Sequence, residues 1–173
     1  THLYGGAAQL LLGPMSYRAS SSERDTSGLG RWVSTRCQGK GGIILRFIMG
    51  YRGPYTVYSQ QDKRFKQVDP DGDRCPLQAF YEDLGIAMDE WLNDGEQIVL
   101  SLDANEDVWK GEIIQWIEIW DLVDAHKQFH PNLPPAETCS ANTSNIPING
   151  IWISAGLNLL GAGYLDYGEF GLT

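Results

Sequence analysis

The stretch Ser101-Leu102-Asp103-Ala104-Asn105-Glu106-Asp107 sets three carboxylates and a carboxamide directly after the apolar run Ile98-Val99-Leu100. A short apolar run bounded by polar residues has the pattern of a buried strand. In an α/β sheet, a strand ending in acids delivers them to the crevice at the sheet's carboxyl edge, where such folds bind ligands. Asp103 can offer a hard anionic oxygen to a divalent cation or act as a base toward water. Asn105 can donate to a phosphate oxygen and accept from water. Alternation puts both on one side if the strand runs through them. The same residues also suit an Asx turn that only leads the chain toward solvent, and the residues by themselves leave both readings open.

Other chemistry-bearing groups are less promising. Asp69, Asp71 and Asp73 in "DPDGDR" have the alternate spacing of a calcium loop. The sixth position is Arg74 instead of Gly and the twelfth is Phe80 instead of Glu, so a polar turn explains them better. His126 and His130 are four apart, but Pro131 disfavours helical geometry at His130. Together with His2 they read as surface or helix-end histidines. No G-x-S-x-G elbow supports serine catalysis. Cys37, Cys75 and Cys139 lack zinc spacing and read as ordinary thiols of a reducing, intracellular compartment.

The elements that must position the acidic tip follow from pattern. At 173 residues, with 42% hydrophobic residues, six Trp and eight Tyr, the chain suits one folded domain with a sizeable core. A net charge of -9 argues against a protein held on nucleic acid by a basic surface. A site in which a cation sits between carboxylates and phosphate escapes that objection. The start, "THLYGGAAQLLLGPM", has no basic leader and too short an apolar stretch to span a bilayer. A soluble chain without a membrane span is expected, and the missing initiator Met suggests one trimmed from something longer.

"AAQLLL" and "RWVSTRC" read as short strands, and Tyr17 to Gly30 reads as a loop. The Gly-bounded "IILRFIMGY" reads as an internal strand covered on both faces. "PLQAFYEDLGIAMDEWLNDG" has helical spacing from Pro76, with Leu77, Phe80, Tyr81, Leu84, Ala87, Met88 and Trp91 as a core face and Gly95 as the stop. "QIVLSLDAN" follows as a strand, then helical or turn material to Phe129, a Pro-rich loop, and two strands in "IPINGIWISAG" and "LNLLGAGYL". Partial alternation of strands and helices predicts an α/β layered fold with a mixed sheet.

Taken in order, "GLGRWV", "IILRFIMGYR", "TVYSQQ", "SLDAN" and "INGIWIS" resemble the endonuclease/exonuclease/phosphatase superfamily. More narrowly they resemble the endonuclease domains of retroelements, over roughly residues 5 to 165. The resemblance implies a DNase I-like layered α/β sandwich, incomplete at its N-terminal and C-terminal ends, that hydrolyses phosphodiesters, chiefly DNA, with Mg²⁺ or Mn²⁺. It implies that Asp103 orients or deprotonates the attacking water and ligates the metal, that Asn105 holds the scissile phosphate, and that Tyr51 contacts that phosphate. Charge and position add Arg52 as a second phosphate contact.

The departures are specific. The family's early Asn and metal-ligating Glu are missing. Asn149 stands where the family has an Asp that orients its catalytic His, and the closing Asp-His pair is absent, since neither Asp166 nor Glu169 is followed by His. Each lost preorganised donor costs about 10²- to 10³-fold in rate. Weak or absent catalysis is therefore expected. The alternative is a non-catalytic subunit whose exposed sheet is covered by a protein partner.

Overall fold

A computed structural model describes residues 6–53, 65, 67, 74–134, 138 and 146–164. Its strands are β1 (Ala19–Arg24), β2 (Trp32–Gln38), β3 (Ile44–Tyr51), β4 (Gln97–Asp103), β5 (Leu122–Asp124) and β6 (Asn149–Ser154). Its helices are α1 (Pro76–Asn93), α2 (Ile113–Ile119) and α3 (Ala125–Phe129). The strands form one sheet in the order β1-β2-β3-β4-β6-β5. Only β3 and β4 are parallel; every other neighbouring pair is antiparallel. A parallel pair needs a crossover, and α1 lies within it.

Helix α1 forms where expected. Pro76 occupies its first turn, and Ala79, Phe80, Tyr81, Leu84, Gly85, Met88 and Trp91 are buried along one stripe. Gly95, at φ +77°, lets the chain leave the helix and enter β4. The stripe lies against the face of the sheet carrying Ile48, Ile98, Leu100, Leu102 and Trp152, with Ile113, Trp116 and Ile117 from α2 completing the core. The same face buries charge. Glu96 accepts from Arg46 through both oxygens, at 2.7 and 3.0 Å, and from Arg36 at 2.8 Å. The Arg46 guanidinium also lies 4.6 Å from the centre of the Trp91 ring. Its neutralised charge and stacked plane let it sit in a core of this kind.

The opposite face is less covered. Leu45, Phe47 and Val99 are half-buried, Met49 is 37% exposed and Ile151 48% exposed. The expectation that β3 is covered on both faces is therefore corrected: among the described residues, the two longer helices α1 and α2 pack on one face only. Two further expectations change. Residues of "AAQLLL" and "LNLLGAGYL" that are described form no strand. The Tyr17–Gly30 loop contains β1, whose six residues are all exposed while they pair with β2. A polar edge strand with solvent on both sides shows no hydrophobic alternation, so its sequence resembles a loop. The three-residue β5 is likewise too short to display a period. "TVYSQQ", Asp69, Asp71, Asp73, Cys139, Asp166 and Glu169 lie outside the described residues.

Candidate active site

Register brings the site together. Tyr51 is the Cα partner of Asp103 across β3 and β4, and Asp103 is the partner of Asn149 across β4 and β6. Paired residues on adjacent strands project to the same face, so a phenol, a carboxylate and a carboxamide form one rung at the end of three strands. That face is the open one. The two rungs behind it are Met49–Ser101–Ile151 and Phe47–Val99–Ile153. All three polar residues line a cavity of about 760 Å³, together with His126, Thr138 and Tyr164. Gly150 makes room for its neighbour: a Cβ there would lie 2.3 Å from the Trp152 ring.

The acidic tip divides its labour. Asp103 Oδ1 accepts the Asn105 N–H at 3.2 Å, which is an Asx turn, and Asn105 turns with φ +50°. The strand therefore stops at Asp103 and does not carry Asn105 to the same side by alternation. Asn105 is instead folded back: its Nδ2 donates to the Arg52 carbonyl at 2.7 Å, and its carboxamide approaches the Tyr51 phenol. The Asx-turn reading is therefore the one the structure has, and Asn105 is not among the described residues that line the cavity, so its expected role of holding the scissile phosphate is corrected to that of shaping the turn.

Glu106 and Asp107 are structural. Glu106 accepts from the Tyr81 hydroxyl and from the Glu112 N–H, and it pairs with Arg52 Nη1 at 3.0 Å. Asp107 Oδ1 accepts the Trp109 N–H at 2.9 Å. Arg52 follows the same logic. It is 5% exposed, donates to the Ala104 carbonyl at 3.0 Å, stacks 4.9 Å from the Tyr81 ring centre and does not line the cavity. The expected role of Arg52 as a phosphate contact is corrected to that of a clamp joining the ends of β3 and β4. Alternation explains this, since Arg52 follows Tyr51 and turns toward the helix-covered side.

Burial pushes the Asp103 carboxyl above the usual carboxylate range, opposed by the Asn105 N–H. The Tyr51 phenol is raised by burial and by the Asp103 charge, with the Asn105 contact opposing both. Each group thus resists taking or keeping a negative charge without a counter-charge nearby. A divalent cation would meet that need, but the described residues do not complete a site for one. Asp103 is the one carboxylate on the cavity wall, and no group of three or more His, Cys, Asp or Glu is gathered among the described residues.

His126 was read from sequence as a helix-end histidine, yet it lines the same cavity. The signal was hidden because the strand and helix preceding and containing it have three and five residues. Asp124 starts that helix by accepting the Lys127 N–H at 2.8 Å, a cap recognisable only once the helix is known. His130 has a different assignment, with Nε2 2.8 Å from the Ala162 carbonyl.

No protein-family model matches the sequence, and no curated protein matches it. Solved structures do match by shape. The human Nocturnin catalytic domain, determined with a bound sulfate anion, superposes with a TM-score of 0.51 at 15% identity, over 79% of this chain and 48% of that one. The Xenopus laevis APE2 catalytic domain gives 0.50 at 19% identity, over 73% and 46%. The chain spans about half the length of each. With its mixed sheet and one helix-covered face, it has the DNase I-like layered α/β fold of these two catalytic domains, over part of their extent.

Proposed function

We propose that the chain is part of a divalent-metal-dependent phosphodiesterase of the endonuclease kind, weakly active or inactive by itself. The observation that carries this reading is the rung Tyr51–Asp103–Asn149, which opens into one cavity and is tied by Asn105. Asp103 orients or deprotonates the attacking water. Tyr51 and Asn149 offer neutral donors to the phosphate, and Asn105 holds Tyr51 and the Asp103 turn in place. Mg²⁺ usually takes one or two carboxylates and completes its shell with water and substrate oxygens. Asp103 is one such ligand, and at least one more has to come from outside the described residues. DNA is the proposed substrate, and the sulfate carried by the Nocturnin domain fits an anion-binding fold of this type.

Incubating the purified chain with plasmid or abasic-site DNA and Mg²⁺ tests the reading. Slow cleavage, lowered by about 10²-fold or more in Asp103→Asn, is the expected result. Cleavage that the substitution leaves unchanged rules the site out.

A second reading has its own observation. Met49 and Ile151 remain 37% and 48% exposed beside other apolar residues of the same face, and Asn149 cannot supply a negative charge. A non-catalytic subunit whose open face is covered by a protein partner accounts for both. Metal-dependent cleavage abolished by Asp103→Asn would remove this alternative.

A further inference from the structure

We infer that His126 is an anion contact of the cavity, donating from Nε2 to a phosphate oxygen; the inference rests on the phosphodiester reading of the site. Three observations converge on it. The imidazole lines the cavity that holds Asp103, Tyr51 and Asn149. Its Nδ1 is buried without a hydrogen-bond partner among the described residues, whereas Nε2 has no such enclosure. Its ring is held by aromatic neighbours, with centroids 5.0 Å from Tyr164, 5.1 Å from His130 and 6.3 Å from Trp109.

The orphaned nitrogen leaves Nε2 as the ring's contact atom. A neutral imidazole carries one proton, on either nitrogen. Enclosed as it is, Nδ1 meets neither water nor a ligand whichever tautomer the ring adopts, and either tautomer leaves it unmet. With its proton on Nε2, the ring presents a donor through the nitrogen that is not enclosed, the one able to meet a ligand. Tyr164 links this ring to the rung, since its hydroxyl donates to the Asn149 carbonyl at 3.4 Å while its ring faces His126. The donor is thus held beside Asn149 by packing and loses little freedom when it engages an anion. No other histidine among the described residues lines this cavity, and the His130 Nε2 lies 2.8 Å from the Ala162 carbonyl.

The test is a titration of the ¹⁵N-labelled 173-residue chain with inorganic phosphate, following the imidazole and side-chain amide signals by nuclear magnetic resonance. The His126 ring signals are expected to shift and saturate with those of the Asn149 amide. His126→Gln is expected to weaken phosphate binding about tenfold, the value of one hydrogen bond to a charged group. Shifts at Asn149 or Asn105 with a silent His126 ring would overturn this inference and leave the site reading standing. Silence at all of these groups would overturn both. The wild-type ring signals give the answer even if His126→Gln fails to fold.

Discussion

The two faces of the central sheet differ more than any two strands in it. On the helix-covered face, Ile48, Leu84, Ile98 and Leu100 are buried to 1% exposure or less, and even Arg46 and Glu96 are enclosed at 2%. On the other, Leu45, Phe47, Met49, Val99 and Ile151 keep contact with solvent behind the polar rung of Tyr51, Asp103 and Asn149. One face supplies stability and the other carries the proposed site. Their separation means that substitutions should sort by face and not by residue type, which four measurements can break or sharpen.

The largest effect belongs to the covered face. Leu84→Ala, at a fully buried position against the sheet, is expected to lose about 2–5 kcal/mol in denaturant unfolding. A loss below about 1 kcal/mol would mean that α1 is not the main cover of that face. Next comes Gly150→Ala, which forces a methyl to within 2.3 Å of the Trp152 ring. Overpacking of this sort costs about 1–3 kcal/mol. An unchanged midpoint would show that the indole has room to move.

Asp103→Asn should act in the opposite sense. Burial holds the folded carboxyl above its ordinary value of 3.8, so the folded chain binds that proton more tightly than the unfolded chain. The penalty is absent below the unfolded pKa and grows as pH rises toward the raised folded one. The variant is therefore expected to melt higher than the parent at pH 7, with the difference vanishing below about pH 4. A lower melting temperature at pH 7 would show that the charged carboxylate is stabilised, contrary to its surroundings. The smallest effect is expected from Ile151→Ser on the open face, within about 0.5 kcal/mol. A loss approaching that of Leu84→Ala would mean that the face is covered in solution, as the non-catalytic reading requires.

Much of this arrangement could be read from the chain. Helix α1 announced itself by period, Pro76 and Gly95, and β2, β3, β4 and β6 by apolar runs, because each buries a face long enough to repeat a pattern. The parts that could not be read are β1, β5 and α3. The first is a polar edge exposed on both sides, and the other two are shorter than the repeat that would reveal them. Arg52 and His126 exchanged their expected places for a related reason. A cation next to Tyr51 suggested phosphate, but the next residue along the strand turns away from the site, while a histidine on a five-residue helix turns into it.

What the sequence by itself determined was the list of elements and the identity of Asp103, Tyr51 and Asn149 as the residues worth watching, since local pattern and side-chain chemistry are written residue by residue. What only the tertiary structure decided was which of the tip's three carboxylates lines the cavity, and which imidazole lines it too. Those answers depend on pairing between residues about fifty positions apart, as in the register of Tyr51 with Asp103 and Asp103 with Asn149, and backbone hydrogen bonding across strands leaves no mark on either residue alone.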